Sequence, residues 1–171
     1  MNPRMKLNLG CGRDHIKGYV NCDISSEVNP DKIVDIEKGL PFMENTVDEI
    51  VMNHVLEHFQ KPINIMKELY RVCKNGAVIK IRVPYFSSES AFSMMDHYSF
   101  FSWTTFDFLE KNHPCHWQGF GNFKIQKKKL KWRKQFWFLE KIFALSPRVY
   151  QEIFCWIFPA KELYVELRVI K

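Results

Sequence analysis

Paired cysteines and a long uncharged apolar run are both missing from this 171-residue chain. The five cysteines, Cys11, Cys22, Cys73, Cys115 and Cys155, are odd in number and show no C-x-x-C spacing. That pattern excludes a disulfide framework and points to a reducing, cytoplasmic setting. The longest apolar stretch, Gln135 to Ala160, is interrupted by Glu140, Lys141, Pro147, Arg148 and Glu152. A membrane-spanning helix needs about 20 largely uncharged residues, so this stretch does not span. An N-terminal signal pattern, repeats and low-complexity linkers are absent as well. Two phosphate-binding motifs fail: His15 stands where the third glycine of G-x-G-x-x-G would follow Gly10 and Gly12, and no Lys-Ser or Lys-Thr completes a P-loop.

Hydrophobic residues at 46% and charged residues at 26% are the proportions of a globular chain, and the length suits one core. The expected organisation is a single domain over 1–171. A ligand-binding half covers 1–84, an aromatic-rich cap 85–160 and a last strand 161–171. The aromatic residues concentrate after Tyr85, which suggests a surface or pocket lined with rings. The formal charge of +6 permits acidic partners without demanding them.

Short apolar runs at Lys6–Leu9, Tyr19–Cys22, Lys32–Val34, Val47–Met52 and Ala77–Val83 read as five strands. Ile63, Met66, Leu69, Tyr70 and Cys73 form one apolar stripe on a helix from Pro62, which Asn75-Gly76 stops. Strand, helix, strand in this order is a right-handed crossover to a parallel neighbour, so the fold class is α/β. The first link, Gly10 to Gly18, is too short for a full crossover helix and is expected to hold one helical turn. Lys80 and Arg82 are awkward in a central strand and imply a sheet face with little cover. Later, Ser102 caps an expected helix from Trp103 to Lys111. Phe120–Trp132 reads as extended, Phe136–Phe158 as helical with a break at Pro147, and Leu163–Val169 as a strand.

Open α/β sheets bind ligands outside the carboxyl ends of their strands. Here strand one ends in Gly10-Cys11-Gly12, where the backbone can turn tightly and approach a ligand. Strands two and three end in Asp23 and Asp35. The first can accept from a vicinal diol and the second from an exocyclic amine, which together describe an adenosine site.

LNLGCGRD, VNCDIS, DIEKGLPFMENTVDEIVMNHVLEHF and LYRVCKNGAVIKIRVP resemble the class I S-adenosylmethionine-dependent methyltransferases of type 11. The likeness covers Lys6 to Pro84 and extends weakly to Asp96–Phe101. It implies a Rossmann-like sheet of order 3-2-1-4-5-7-6 with strand seven antiparallel, and S-adenosyl-L-methionine as cofactor. By position it gives Gly10, Cys11 and Gly12 the methionine part, Asp23 the ribose and Asp35 the adenine amine. Ile24 and Ile36 would sandwich the adenine, while Asn53 and His54 line the pocket. Asn8 stands where the family often has an acid, and Asp14 where it often has a third glycine.

His54-Val55-Leu56-Glu57-His58 also spells H-x-x-E-H, an inverted zinc-peptidase signature. As the start of a helix after strand four it would put His54, Glu57 and His58 on one face. No third ligand is evident, and a peptidase has no use for Asp23 and Asp35, so no metal is expected. His113, Cys115 and His116, in H-P-C-H, read as a loop. For transfer to a hydroxyl, the candidate bases are His97, His58 and His113, with His97 preferred and Tyr85 as a positioning group.

Lys124 to Lys134 is strongly basic, with Trp132, Phe136 and Trp137 close by. It suits a solvated strand, a nucleic acid or an anionic membrane surface. The favoured expectation is methyl transfer to an O or N atom of a small molecule, glycan or lipid-linked sugar. Peripheral membrane contact through 124–158 at the inner face is part of it, with a homodimer as a further option. The alternatives are an RNA-binding or RNA-modifying methyltransferase and a catalytically silent interaction module.

Overall fold

Alternation of apolar and charged residues along the strands builds the molecule. A computed structural model describes residues 4–114 and 121–171; Cys115, His116 and Phe120 lie outside them. Seven strands, β1 (Lys6–Leu9), β2 (Val20–Asp23), β3 (Lys32–Ile33), β4 (Val47–Asn53), β5 (Cys73–Pro84), β6 (Phe123–Lys131) and β7 (Glu162–Val169), form one sheet. Its order is β3-β2-β1-β4-β5-β7-β6. The pairs from β3 to β5 are parallel, and β7 runs antiparallel to both β5 and β6. This is the order and the reversed strand that the family resemblance implied.

One face of the sheet is the core. Leu7, Leu9, Ile50, Met52, Ile79, Ile81, Leu163 and Val165 are fully buried there. The helix α1 (Pro62–Val72) adds Ile65, Met66, Leu69 and Val72 to the same core. Each such side chain stabilises the fold by about 1.5–3 kcal/mol through burial. The other face carries charge. Lys6, Glu49, Val78 and Arg168 lie in register across β1, β4, β5 and β7, and Lys80 faces Glu166 one step along. Lys80 Nζ donates to Glu49 Oε1 at 2.5 Å, and Lys6 Nζ stands 3.1 Å from Glu49 Oε2. The out-of-place lysine in the sequence of β5 is thus a lysine on a wet face.

The link from β1 to β2 contains turns and no helical turn, contrary to expectation. Side-chain amides take over its hydrogen bonds. Asn8 Nδ2 donates to Asn21 Oδ1 (3.0 Å) and to the Asp14 carbonyl (2.9 Å), while Asn21 Oδ1 accepts from the Ile16 N–H (2.8 Å). Such local side-chain bonds compete with helical pairing.

Two further expectations need correction. The helix over Trp103–Lys111 is a run of turns with a single 3-10 turn at Asp107–Leu109. There the Ser102 N–H donates to Thr105 Oγ1 (2.8 Å), and Lys128 from β6 pairs with Asp107. The Phe136–Phe158 segment is helical only in pieces: α2 (Trp137–Phe143), then a helical turn Pro147–Val149 running into a π turn Tyr150–Phe154. Tyr150 ties its end down, donating to the Phe158 carbonyl (3.0 Å) and accepting from the Ala160 N–H (2.7 Å). Among the described residues no helix is long and apolar enough to cross a membrane.

Candidate functional site

The carboxyl ends of β1, β2, β3 and β4 surround a cleft of about 440 Å³. Gly10 and Gly12 leave β1 at φ 63° and 48°, left-handed values that strain any residue with a Cβ. A Cβ on Gly10 would stand 2.4 Å from Val55 Cγ2. At Gly12 the corresponding position meets nothing within 4 Å, so its bare side faces open space. Cys11 between them is buried, and burial with the nearby Asp23 charge pushes its thiol pKa up. Only its main chain is available to a ligand.

Asp23 closes β2 and braces the glycine turn. Its Oδ2 accepts from the Gly12 N–H at 2.8 Å and its Oδ1 from the Ser25 N–H at 3.0 Å. Each oxygen keeps lone-pair capacity for a hydroxyl. Asp35, beyond β3, accepts from the Glu37 N–H (3.1 Å) and pairs with Lys38 (2.8 Å). The Lys38 bond holds its carboxyl below the usual range, so an amine at this place competes with Lys38. Ile24 is 65% exposed beside the cleft and Ile36 is buried in its wall.

His54 also lines the cleft, held at φ 55° after β4. The HVLEH segment is not the start of a long helix: only Leu56–His58 forms one 3-10 turn, and α1 begins at Pro62. His54 still meets Glu57, with Nδ1 at 3.2 Å from Oε1, and its Nε2 lies 3.4 Å from Glu162 Oε1 of β7. Glu162 first and Glu57 second raise the His54 pKa to about 9, and the His54 bond helps lower Glu162 to about 2. His54 is therefore a cation at neutral pH, pinned between two carboxylates.

The segment Asp96–Ser99 is brought against the same rim. The Glu57 carbonyl accepts from the N–H groups of Tyr98 (2.9 Å) and Ser99 (3.1 Å). That contact sets the His97 ring edge-on to the His58 ring, with centroids 4.8 Å apart. His58 and Asp96 line the cleft. Asn53 ends β4 opposite Arg82 and is not in the cleft wall. Tyr85 is not brought there either. It is fully buried, its hydroxyl 3.4 Å from Gln151 Oε1, and burial pushes its pKa up. His113 lies elsewhere, its ring against Phe108.

Sequence reasoning missed Val34, Val55, Phe59 and Asp96 in the wall, and Glu162 behind His54. The first three sit at or just beyond strands three and four, so position beyond a strand end was the usable signal. Glu162 arrives from 108 residues away along the chain and left none. A bare main-chain turn, a carboxylate with spare acceptor capacity and apolar walls fit a nucleoside-bearing cofactor.

The family model for a methyltransferase domain, type 11, matches residues 7–81. Those residues, which carry the cleft, are similar to that methyltransferase domain. The fold of the whole chain is likewise that of known methyltransferases. A SAM-dependent methyltransferase from Archaeoglobus fulgidus superposes with a TM-score of 0.66 at 14% identity, covering 98% of this chain and 86% of that one. A methyltransferase from Listeria monocytogenes gives 0.64 at 14% identity, with 99% and 92% covered. A chain of the complex between the Haloferax volcanii Trm112 methyltransferase activator and a methyltransferase gives 0.68 at 14% identity, with 99% and 84% covered. No curated protein sequence matches. In this chain the link from β1 to β2 is the amide-braced turn at Asn8 and Asn21.

Proposed function

We propose that the chain is an S-adenosyl-L-methionine-dependent methyltransferase that moves a methyl group to an oxygen or nitrogen of a glycan or lipid-linked acceptor at an anionic membrane surface. One observation carries the choice of acceptor. The segment following β6 exposes Trp137, Ile142, Leu145, Ile153, Trp156 and Ile157, with Leu145 at 90% and Trp156 at 67% exposure. Arg133, Lys134, Lys141 and Lys161 are exposed around them. Single exposed apolar residues need no explanation, but a run rimmed by cations is the make-up of an interfacial segment. The helical pieces are too short to span a bilayer and suited to lie in its headgroup region.

At the cofactor, S-adenosyl-L-methionine supplies an electrophilic methyl on a sulfonium. The chain supplies position. The main chain at Gly10–Gly12 holds the amino-acid end, Asp23 the ribose hydroxyls and Asp35 the adenine amine, with Ile24 and Ile36 against the ring. His54, charged and fixed by Glu57 and Glu162, forms the wall toward the acceptor. His97, with His58 beside it, is placed to help an acceptor hydroxyl lose its proton, which is the part of the work that alignment alone does not do. Transfer of labelled methyl from the cofactor into a lipid extract, together with co-sedimentation on phosphatidylglycerol vesicles, tests the reading. Vesicle binding that vanishes in a Trp137→Ser, Trp156→Ser variant supports it. Retention on RNA with a steep salt dependence and no vesicle binding would instead favour a nucleic-acid acceptor. Failure to bind the cofactor product would mark a silent module.

A further inference from the structure

HVLEH by itself lacks a further metal ligand, and the fold brings His97 to it. Glu57 is 1% exposed. Its Oε1 is engaged by His54 at 3.2 Å, whereas its Oε2 is buried with no hydrogen-bond partner. A buried, unpartnered carboxylate oxygen is costly enough that folded chains rarely keep one without a use. One ligand atom each from Glu57, His58 and His97 lies within 4.8 Å of the other two.

The imidazoles are also held in the tautomer a metal needs. His97 Nδ1 donates to the Ala91 carbonyl at 3.2 Å. His58 Nδ1 lies 3.2 Å from the Asp96 carbonyl and 3.1 Å from its carboxylate. An Nδ1–H fixed by an oxygen leaves the Nε2 lone pair free, the outer-shell arrangement that orients histidine toward a metal. We propose that Glu57 Oε2, His58 and His97 bind one zinc ion at the rim of the cofactor cleft, with its fourth position open to an acceptor oxygen.

Two histidines and one carboxylate with an open position form the donor set of a catalytic zinc site. Ligands at zinc bond lengths stand about 3.5 Å apart, so roughly 1 Å of side-chain adjustment closes the site. Methyl transfer involves no net redox change, so a metal without redox chemistry suffices. The part played by the ion in transfer rests on the methyltransferase reading; the binding of zinc does not. On zinc, an acceptor hydroxyl gives up its proton to solvent near neutral pH. The oxygen then forms its bond to the methyl carbon as the carbon–sulfur bond breaks, and that electron pair returns to sulfur as a neutral thioether. The imidazole pair thus acts on the acceptor through the ion.

The test uses the full chain, stripped with a chelator and titrated with zinc against a chromophoric competitor, with metal content read by mass spectrometry. One zinc per chain is expected. The affinity should fall at least about tenfold in His97→Gln and in the near-isosteric Glu57→Gln, with the thermal shift by S-adenosylhomocysteine retained in His97→Gln. Substoichiometric zinc in the wild type, or equal affinity in both variants, overturns the site. Should the wild type take up zinc but show no shift with S-adenosylhomocysteine, the cofactor reading fails while the metal site stands.

Discussion

Replacing Asp23 by alanine gives the sharpest test of the cofactor cleft, because it acts twice. Without ligand, it removes two main-chain N–H bonds to a carboxylate, from Gly12 at 2.8 Å and Ser25 at 3.0 Å. At ~1.5 kcal/mol for each partly buried, charge-assisted bond, the free protein loses about 3 kcal/mol. For a chain of this size each kcal/mol moves Tm by about 2–4 °C, so the midpoint should fall by about 6–12 °C. With ligand, the ribose loses two acceptors of similar strength, and Kd should rise by about two orders of magnitude. S-adenosylhomocysteine at ~100 times the wild-type Kd stabilises the wild type by about 2.7 kcal/mol, or about 5–11 °C. At the same concentration the variant gains ~0.3 kcal/mol, about 1 °C. Differential scanning fluorimetry with and without ligand separates the two effects. A variant that is destabilised yet keeps a shift of several degrees would show that Asp23 only braces the turn, and the assignment of the ribose would fall.

Further expectations can be checked with the same equipment. Gly10→Ala places a Cβ 2.4 Å from Val55 Cγ2 at a φ of 63°; a loss of about 2–4 kcal/mol is expected in urea unfolding, and Val55→Ala should recover part of it. Tyr150→Phe removes both bonds of the buried hydroxyl to Phe158 and Ala160 and should cost about 1–3 kcal/mol, while leaving the ligand shift intact; a lost shift would mean that this segment reaches the cofactor. Burial alone would raise the Glu49 pKa, but its bonds to Lys80, Tyr19 and Lys6 outweigh that and bring it to about 2. Its folded pKa lies below the unfolded one, so its stabilisation is complete above pH ~4.5 and fades as pH falls toward 2. Discounted for lysines about a third exposed, the effect is roughly 1–2 kcal/mol. The wild type should lose more than half of that amount beyond what Glu49→Gln loses between pH 7 and pH 3, and parallel losses would contradict the assignment.

The strands and the site at their ends were legible because each strand announces itself locally. LNLG, VNCD and VIKIRV are short apolar runs that stop at glycine, aspartate or proline, and parallel pairing follows from the helix between the last two. The cleft was readable for the same reason: Gly10, Gly12, Asp23 and Asp35 all sit just past such stops. What escaped depends on distant pairing. His97 meets His58 because Tyr98 and Ser99 dock on the Glu57 carbonyl, across a segment with no periodicity to betray it. Glu162 reaches His54 only once β7 has inserted beside β5. The expected helix at Trp103–Lys111 failed because hydroxyl bonds at Ser102 and Thr105, and the pull of Lys128 on Asp107, offer that backbone a different arrangement.

The position of β6 outside β7 has a consequence for association. Its outer side is a sheet edge, where a neighbouring chain could add a strand, although the Ile125 N–H is already taken there by Glu110 Oε1 at 2.9 Å. Along it stand Lys124, Lys127, Lys129 and Lys131, and a bulge between Ile125 and Lys127 interrupts the ladder. Bringing two such rows together would set ammonium against ammonium; among the described residues, only Lys131 of the four is paired, with Glu140. The lysine run is thus a guard against fibre-like stacking, and neutralising it should raise the tendency of the chain to aggregate.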